Sequence, residues 1–387
     1  MTTIQKARIF HVPTGSRKAV ILELATEDGI GGIGEAGIAY GAGGAAAVQM
    51  LREMIERFVL GRDASAINNI WHDIYDVSFW TRNGGAISYA AMSAIEQALW
   101  DIKGKRLGVP VYELLGGRMR DRLEVYANGW WRGCNSAEEF AAAAAAAAAR
   151  GYSALKFYPL GMMSAETVVR HPARRAIDNS EIALVCDRVA AVREAVGPGV
   201  EIMLDFGGGL ATDQVLRVCR RIESFDILFI EEPVDPGSID AFARVAAGTS
   251  IALAAGERVY GRPGCERLLQ TGAVSILQPD VCNTGGLLEA RLMAGMAETQ
   301  NVRIAPHNYG STLATAVAVQ LAAVIPNFMV LEYFPEYDRE PEYRAVLRQP
   351  LEALVNDAGM PIPDGPGLGV ELDHDSVEPW QVARCEL

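Results

Sequence analysis

Near the start of the chain, the segments Ile4 to His11 and Ala19 to Thr26 alternate apolar and polar residues. The Pro13–Gly15 turn separates them, and the pattern predicts a β-hairpin. A third short strand is expected after the glycine-rich turn Asp28–Gly34. Helices are expected around Ala45–Val59 and Ser88–Lys105, the second ended by the breaker Gly108–Pro110. Strands followed by helices predict a separate α+β domain over residues 1–122. From about residue 123 the pattern changes. Short runs, most of them apolar on both faces, now alternate with helical segments: Leu123–Asn128, Ala154–Tyr158, Glu201–Asp205, Leu228–Glu231, Ile251–Ala254, Ile276–Gln278, Val302–Ala305 and Met329–Glu332. Strands buried on both faces belong in a parallel sheet covered by helices. Eight such β-α units predict an α/β fold, a (β/α)8 barrel over residues 123–352 with its active site at the C-terminal ends of the strands. The alanine run Ala141–Ala149 reads as a low-complexity linker or as a helix; alanine's propensity and the flanking Glu138, Glu139 and Arg150 favour the helix. Residues 353–387, rich in Pro and Gly, add no ninth unit and are expected to complete the N-terminal capping domain over the barrel mouth.

Composition narrows the class. The chain has 387 residues, 50% hydrophobic and 21% charged, which suits a globular protein with a large core. Its net charge of -13 argues against nucleic acid, which needs a basic face. An anionic substrate is still compatible, provided a cation or local Lys and Arg offset the field. The six cysteines lie far apart with no CxxC pair, so they read as small buried residues in a reducing compartment rather than a zinc site. The N-terminus lacks the layout of a signal peptide, and no uncharged apolar stretch is long enough to span a membrane. A cytoplasmic enzyme acting on a small molecule is the expectation, and a homo-oligomer the expected assembly.

The strand ends carry the chemistry. The second barrel strand ends at Lys156 and Tyr158, the third at Asp205, the fourth at Glu231. Glu257 follows the fifth, Asp280 the sixth and His307 the seventh, and Glu332 ends the eighth. Asp205, Glu231 and Glu257 are spaced by 26 residues and again by 26. Carboxylates that converge in one pocket force protonation unless a cation relieves them, and oxygen-only ligands with open positions suit one Mg²⁺. Each acid taken singly could merely cap the following helix. His307 could likewise be a capping residue, or an imidazole fixed by Asp280 for general acid–base work. Lys156 could neutralise Asp205 or serve the substrate. Asn128, at the end of the first barrel strand, is a candidate substrate contact.

Several motifs, taken together, carry a family resemblance. They are SAIEQALWDIKGK (Ser93–Lys105), LLGGR (Leu114–Arg118), EIMLDF (Glu201–Phe206), IEEP (Ile230–Pro233), AAGER (Ala254–Arg258), ILQPD (Ile276–Asp280), APH (Ala305–His307) and PDGPGLGVE (Pro363–Glu371). Through them the chain resembles the mandelate racemase subgroup of the enolase superfamily over nearly its whole length. The resemblance implies Asp205, Glu231 and Glu257 as Mg²⁺ ligands, the Asp280–His307 dyad as acid/base, and Glu332 as a hydrogen-bond donor to the substrate carboxylate. It also implies that residues near Tyr40 and Arg82 close over the site. Two features depart from the family. Racemases of the subgroup show Lys-x-Lys at the second strand, where this chain has Lys156-Phe157-Tyr158. Galactonate-dehydratase-like members place a His two residues after the first metal Asp, where this chain has Gly207. One strong base, His307, with Tyr158 as a weak acid suits dehydration of an acid sugar to a 2-keto-3-deoxy acid. A lactone cycloisomerase, a racemase or epimerase, and a catalytically silent metal-binding relative are the alternatives. The stretch from Tyr158 to Glu181, with His171, Arg174 and Arg175, reads as a lid or as a solvated basic turn.

Overall fold

The computed structural model describes residues 2–160, 174–335 and 340–387. Strands β1 (Ile4–Thr14), β2 (Arg17–Thr26) and β3 (Gly31–Ala36) form an antiparallel sheet. The hairpin turns at Gly15 and Ser16, later than the sequence pattern predicts, and Pro13 lies inside β1, paired with Lys18. Proline is tolerated there because the other neighbour of β1 stops at Phe10, so no ladder partner asks for its missing N–H.

The glycines before Ala36 do not make a turn alone: Gly31, Gly32 and Gly34 are in β3. A Cβ on Gly32 would stand 2.1 Å from the Ala98 carbonyl oxygen, and one on Gly34 2.2 Å from that of Ala94. Both carbonyls belong to the helix Gly85–Leu107, so these glycines let the strand lie directly on the helix backbone. That helix is buried on more than one side and therefore apolar nearly all round. Its buried polar residues are Ser88, Ser93, Glu96, Gln97 and Asp101, of which Ser93, Gln97 and Asp101 recur every fourth residue along one face. Gly108, at φ 69°, ends it. Helix Gly44–Met54 continues through a π-turn, Ile55–Val59. The helix Ile67–Val77 is not predicted by the sequence pattern; it starts without a side-chain cap at Ala66, so the usual start signal is missing.

The larger sheet contains eight parallel strands: β4 (Arg122–Ala127), β5 (Ala154–Phe157), β6 (Glu201–Asp205), β7 (Ile227–Glu231), β8 (Leu253–Ala255), β9 (Ile276–Leu277), β10 (Arg303–Ile304) and β11 (Leu331–Tyr333). They neighbour one another in the order β10-β9-β8-β7-β6-β5-β4-β11. The sheet curls far enough for Ile304 of β10 to bond the backbone of Asn327 and Met329, just ahead of β11. Inside the curl lies a small separate core with one residue from each strand or its edge: Tyr126, Ala154, Met203, Phe229, Ala254, Ile276, Ala305 and Val330. Helices fill the outer layer. One is Ala137–Ala149, which takes in the alanine run behind a Ser136–Glu139 capping box.

The tail has two destinations. Strand β12 (Gly359–Pro361) pairs with Arg122–Glu124, the N-terminal end of β4, which is the end away from the mouth. The first residues of β4 have no partner in β5 or β11, whose pairing begins at Val125, so β12 satisfies their backbone groups. Thus the expectation that the whole tail covers the mouth does not hold. The chain then passes Leu368, whose amide donates to Asp101, and ends as β13 (Gln381–Glu386) on the outer edge of the first sheet, against β1. Among the described residues no helix is long and apolar enough to cross a membrane.

Candidate active site

Side chains alternate along a strand, so the residue two positions beyond each member of the inner core faces the same interior one layer higher. That step gives Asn128, Lys156, Asp205, Glu231, Gly256, Gln278, His307 and Glu332. An apolar plug is thus roofed by a layer in which every position but one is polar. The exception is Gly256, where a Cβ would stand 2.6 Å from the Gln278 amide nitrogen, so the carboxylate of that strand comes from Glu257.

Lys156 is at the centre. Its Nζ is 2.5 Å from Glu231 Oε2 and 2.7 Å from Glu332 Oε1, and it stands 5.2 Å from the centre of the Tyr126 ring. All three charged side chains are about 1% exposed. Burial alone would pull the lysine down, but the two carboxylates carry it well above its ordinary value, so it stays an ammonium. Gln278 Nε2 adds a hydrogen bond to Glu231 Oε2 at 2.7 Å. Glu332 accepts from Asn128 Nδ2 and from the Asn308 amide, each at 2.9 Å. Burial works against ionisation of Glu332, yet Lys156 and His307 hold it down to about 2. A carboxylate so held only accepts. Its expected role as a donor to substrate is therefore at odds with its surroundings here. Asn128, expected to touch substrate, is held by Glu332 and by the Gly129 amide and Trp131 indole, which donate to its Oδ1.

Asp205 and Glu231 are direct register partners on β6 and β7, and Glu257 follows β8. Burial pushes all three carboxyls up, against Lys156 or His307, and the like charges push further; Glu257 reaches about 7. As they stand, each is turned to a protein partner: Asp205 to the Gly207 amide at 2.7 Å, Glu231 to Lys156, and Glu257 to His307 Nε2 at 3.1 Å. Among the described residues no three such side chains gather round one point as a metal site would. Their chemistry nonetheless suits a hard divalent cation: oxygen donors only, Glu231 buried and Asp205 and Glu257 half-buried, with like charges raising one another's pKa.

His307 Nδ1 is 2.8 Å from Asp280 Oδ2, while Asp280 Oδ1 accepts from the Cys282 amide at 2.8 Å. Burial would lower the imidazole, but Glu257 and Asp280 raise it to about 10. The Asp fixes one nitrogen, and the other points among the acids.

Tyr158 is 5% exposed, and burial with the Asp205 charge pushes its phenol above the ordinary range, which makes it a weak acid. Tyr40 reaches the site from the first domain. Its side chain is still half exposed, its ring meets Tyr309 edge-on at 5.2 Å, and partial desolvation followed by the Glu257 charge pushes its phenol above the ordinary range. Arg82 does not join: its guanidinium turns back to the Asp76 carbonyl. Of the proposed lid, residues 161–173, His171 included, lie outside the described residues; Arg174 pairs with Asp235 at 2.7 Å and Arg175 with Glu181. Gln278 and Asn308 are not among the sequence candidates. The period-two step from Ile276 would have found Gln278; the Asn308 backbone contact has no signal in the sequence.

Residues 4–116 match the mandelate racemase / muconate lactonizing enzyme N-terminal domain family, and residues 139–376 match the enolase C-terminal domain-like family. The chain belongs to the enolase superfamily. Within it, this member is 36% identical to a D-galactonate dehydratase of Variovorax paradoxus over 92% of its own length and 90% of the relative's. It is also 36% identical to a D-galactarolactone cycloisomerase of Agrobacterium fabrum, over 95% and 92% of the two chains. A solved structure from Mesorhizobium loti, described provisionally as a dehydratase, superposes with a TM-score of 0.95 at 45% identity, covering 99% of this chain and all of that one. The chain is an enzyme of this superfamily.

Proposed function

We propose that the chain removes the proton alpha to a carboxylate and dehydrates an acid sugar, an aldonate or aldarate, to a 2-keto-3-deoxy acid. In this reading the curled sheet is a closed (β/α)8 barrel, residues 1–122 together with the last strand, Gln381–Glu386, form its cap, and the work is done in the cytoplasm. The observation that carries it is the imbalance of proton-transfer groups. His307 is the one imidazole in the polar layer, fixed by Asp280, and the second-strand position where a racemase has its other lysine is Tyr158. Lys156 cannot serve as a base, since two carboxylates hold its proton.

Asp205, Glu231 and Glu257 would hold the Mg²⁺, which when bound supplies positive charge against the second negative charge that builds on the substrate carboxylate. Lys156 stabilises the same charge, and because that charge is larger in the transition state the contact favours it selectively. Glu257 is the strongest of the charges that keep His307 protonated as it stands; with Glu257 turned away, Nε2 gives up that proton and can take the alpha proton, with Nδ1 kept on Asp280. Tyr158 then assists departure of the β-hydroxyl, which leaves as water. The enol forms, and it tautomerises to the ketone.

The experiment is incubation of a library of aldonates and aldarates with enzyme and Mg²⁺ in D₂O. Formation of a 2-keto acid is the expected result. Deuterium entering recovered substrate with inversion and no keto acid would replace the reading with racemisation. The cycloisomerase relative favours a second reading, in which His307 acts on a sugar lactone. Consumption of lactone with no loss of water would select it.

A further inference from the structure

The loop between Asp280 and the helix Leu287–Glu298 belongs to the barrel, but the first domain holds it. Gln97 Nε2 donates to the Val281 carbonyl at 3.2 Å, the Gly37 amide to the Cys282 carbonyl at 2.8 Å, and Trp71 Nε1 to the Gly285 carbonyl at 2.8 Å. In the other direction the Gly285 amide donates to Ser93 Oγ at 2.9 Å. The Leu287 and Leu288 amides donate to the Glu96 carboxylate at 2.8 and 2.9 Å, so a cap side chain caps a barrel helix. Between two of these anchors, Cys282 uses its own amide to bond Asp280. The next loop is gripped in the same manner. The Ser311 amide and hydroxyl and the Ala314 amide donate to Glu35 of β3 at 2.9, 2.5 and 3.1 Å, four residues and more beyond His307.

Loops that carry the proposed metal ligands are held differently. Among the described residues their hydrogen bonds run to other residues of the larger sheet's loops and not to the first domain: Phe206 and Gly208 amides to Glu231 and Glu232 carbonyls, Arg258 to the Glu232 carboxylate and the Gly207 carbonyl, and the Gly261 amide to the Thr284 carbonyl. The cap therefore grips one half of the mouth by its backbone, and that half carries the dyad.

We infer that the first domain sets the geometry of the Asp280–His307 pair, with Trp71, Ser93, Glu96 and Gln97 as positioning residues acting through the 281–288 loop. A bulk apolar contact could tolerate a small slide between domains, whereas directional bonds to six backbone groups of one loop do not. A base displaced by about 1 Å forfeits on the order of a hundredfold in rate. The kinetic consequence rests on the proposed function; the geometric one does not.

The test is Trp71→Phe combined with Ser93→Ala, which removes two of the six anchors with little change of shape. The downfield proton resonance of His307 Nδ1, assigned by its loss in His307→Asn, reports the dyad without any substrate. In the folded double variant, checked by circular dichroism, this proton should exchange with water about tenfold faster. With a working substrate, kcat should fall by about tenfold, within the scale of misplacement losses, while KM stays within about twofold. An unchanged resonance, exchange rate and kcat in a folded variant would overturn the inference. If the wild type turns over none of the acid sugars, the function is wrong and the exchange measurement still decides the positioning. If the double variant does not fold, the same exchange measurement on Trp71→Phe alone, which keeps an aromatic ring in place, decides the question.

Discussion

At the scale of single residues, the site is a set of charges each answered by another. Lys156 answers two buried carboxylates, and its removal strands both. Lys156→Met should therefore cost about 3–5 kcal/mol of stability as well as activity, the usual penalty for breaking a buried pair. Urea unfolding of the variant checks this, and an unchanged midpoint would contradict it. His307→Asn should lower kcat by about 10²–10⁴-fold or more, since it removes a general base, whereas Tyr158→Phe should cost distinctly less. If the two losses were equal and both stereoisomers of one α-hydroxy acid interconverted, a two-base racemase would be the better description. The identities of these residues are legible because strand ends recur at a countable spacing. Their protonation is not. Glu332 reads in sequence as one more acid, and its low pKa depends on Lys156 and His307, which are remote in the chain. Gln278 escapes notice because a neutral residue in ILQPD carries no charge signal, although it touches Glu231 directly.

Elements are legible where their apolar period is unambiguous. All eight parallel strands of the larger sheet fall where the both-faces-apolar runs predict, with ends shifted by up to two residues. The short β9 and β10 keep two residues each, although the Gln278 and Ala305 amides just beyond them still donate to Ala255 and Leu277 of the neighbouring strands. Glycine misleads at β3, since the same residue type marks a turn and a close approach, and only the helix carbonyls underneath distinguish them. Gly34→Ala should accordingly destabilise the fold by about 1–3 kcal/mol, the range for an overpacked interior, and Gly29→Ala should not act through crowding, because nothing lies within 4 Å of its Cβ position. Thermal unfolding that left Gly34→Ala at the wild-type midpoint would mean the strand lifts off the helix at no cost. Ser93, Gln97 and Asp101 are visible as part of a motif, yet their use as a polar stripe facing β3, the tail and the Asp280 loop cannot be read without the partners.

Taken whole, the molecule joins its two sheets through buried acids, and this leaves a pH signature. Burial pushes Glu96 up to about 7 against the pull of the Leu288 and Leu287 amides, and Glu35 to about 7 against Ser311. A carboxyl whose folded pKa lies above the unfolded one binds its proton more tightly in the native state. Stability therefore falls as pH rises from about 4.5 through 7, by about 3 kcal/mol for one such group at 1.36 kcal/mol per unit. Glu96→Gln should flatten the dependence of the unfolding temperature between pH 5 and 7.5, and parallel slopes for wild type and variant would refute the assignment. The same joint has a history in time. The outer strand of the cap, Gln381–Glu386, pairs with Ile4–Thr14 across almost the entire chain. A ribosome delivers the first of these strands early and the second only after all eight parallel strands of the larger sheet have emerged. Until then one edge of the N-terminal sheet is unpaired, an open template for any other extended chain nearby. The larger sheet, whose strands mostly pair with their neighbours in sequence, can collapse as it is made; the first sheet is complete only once Gln381–Glu386 arrives.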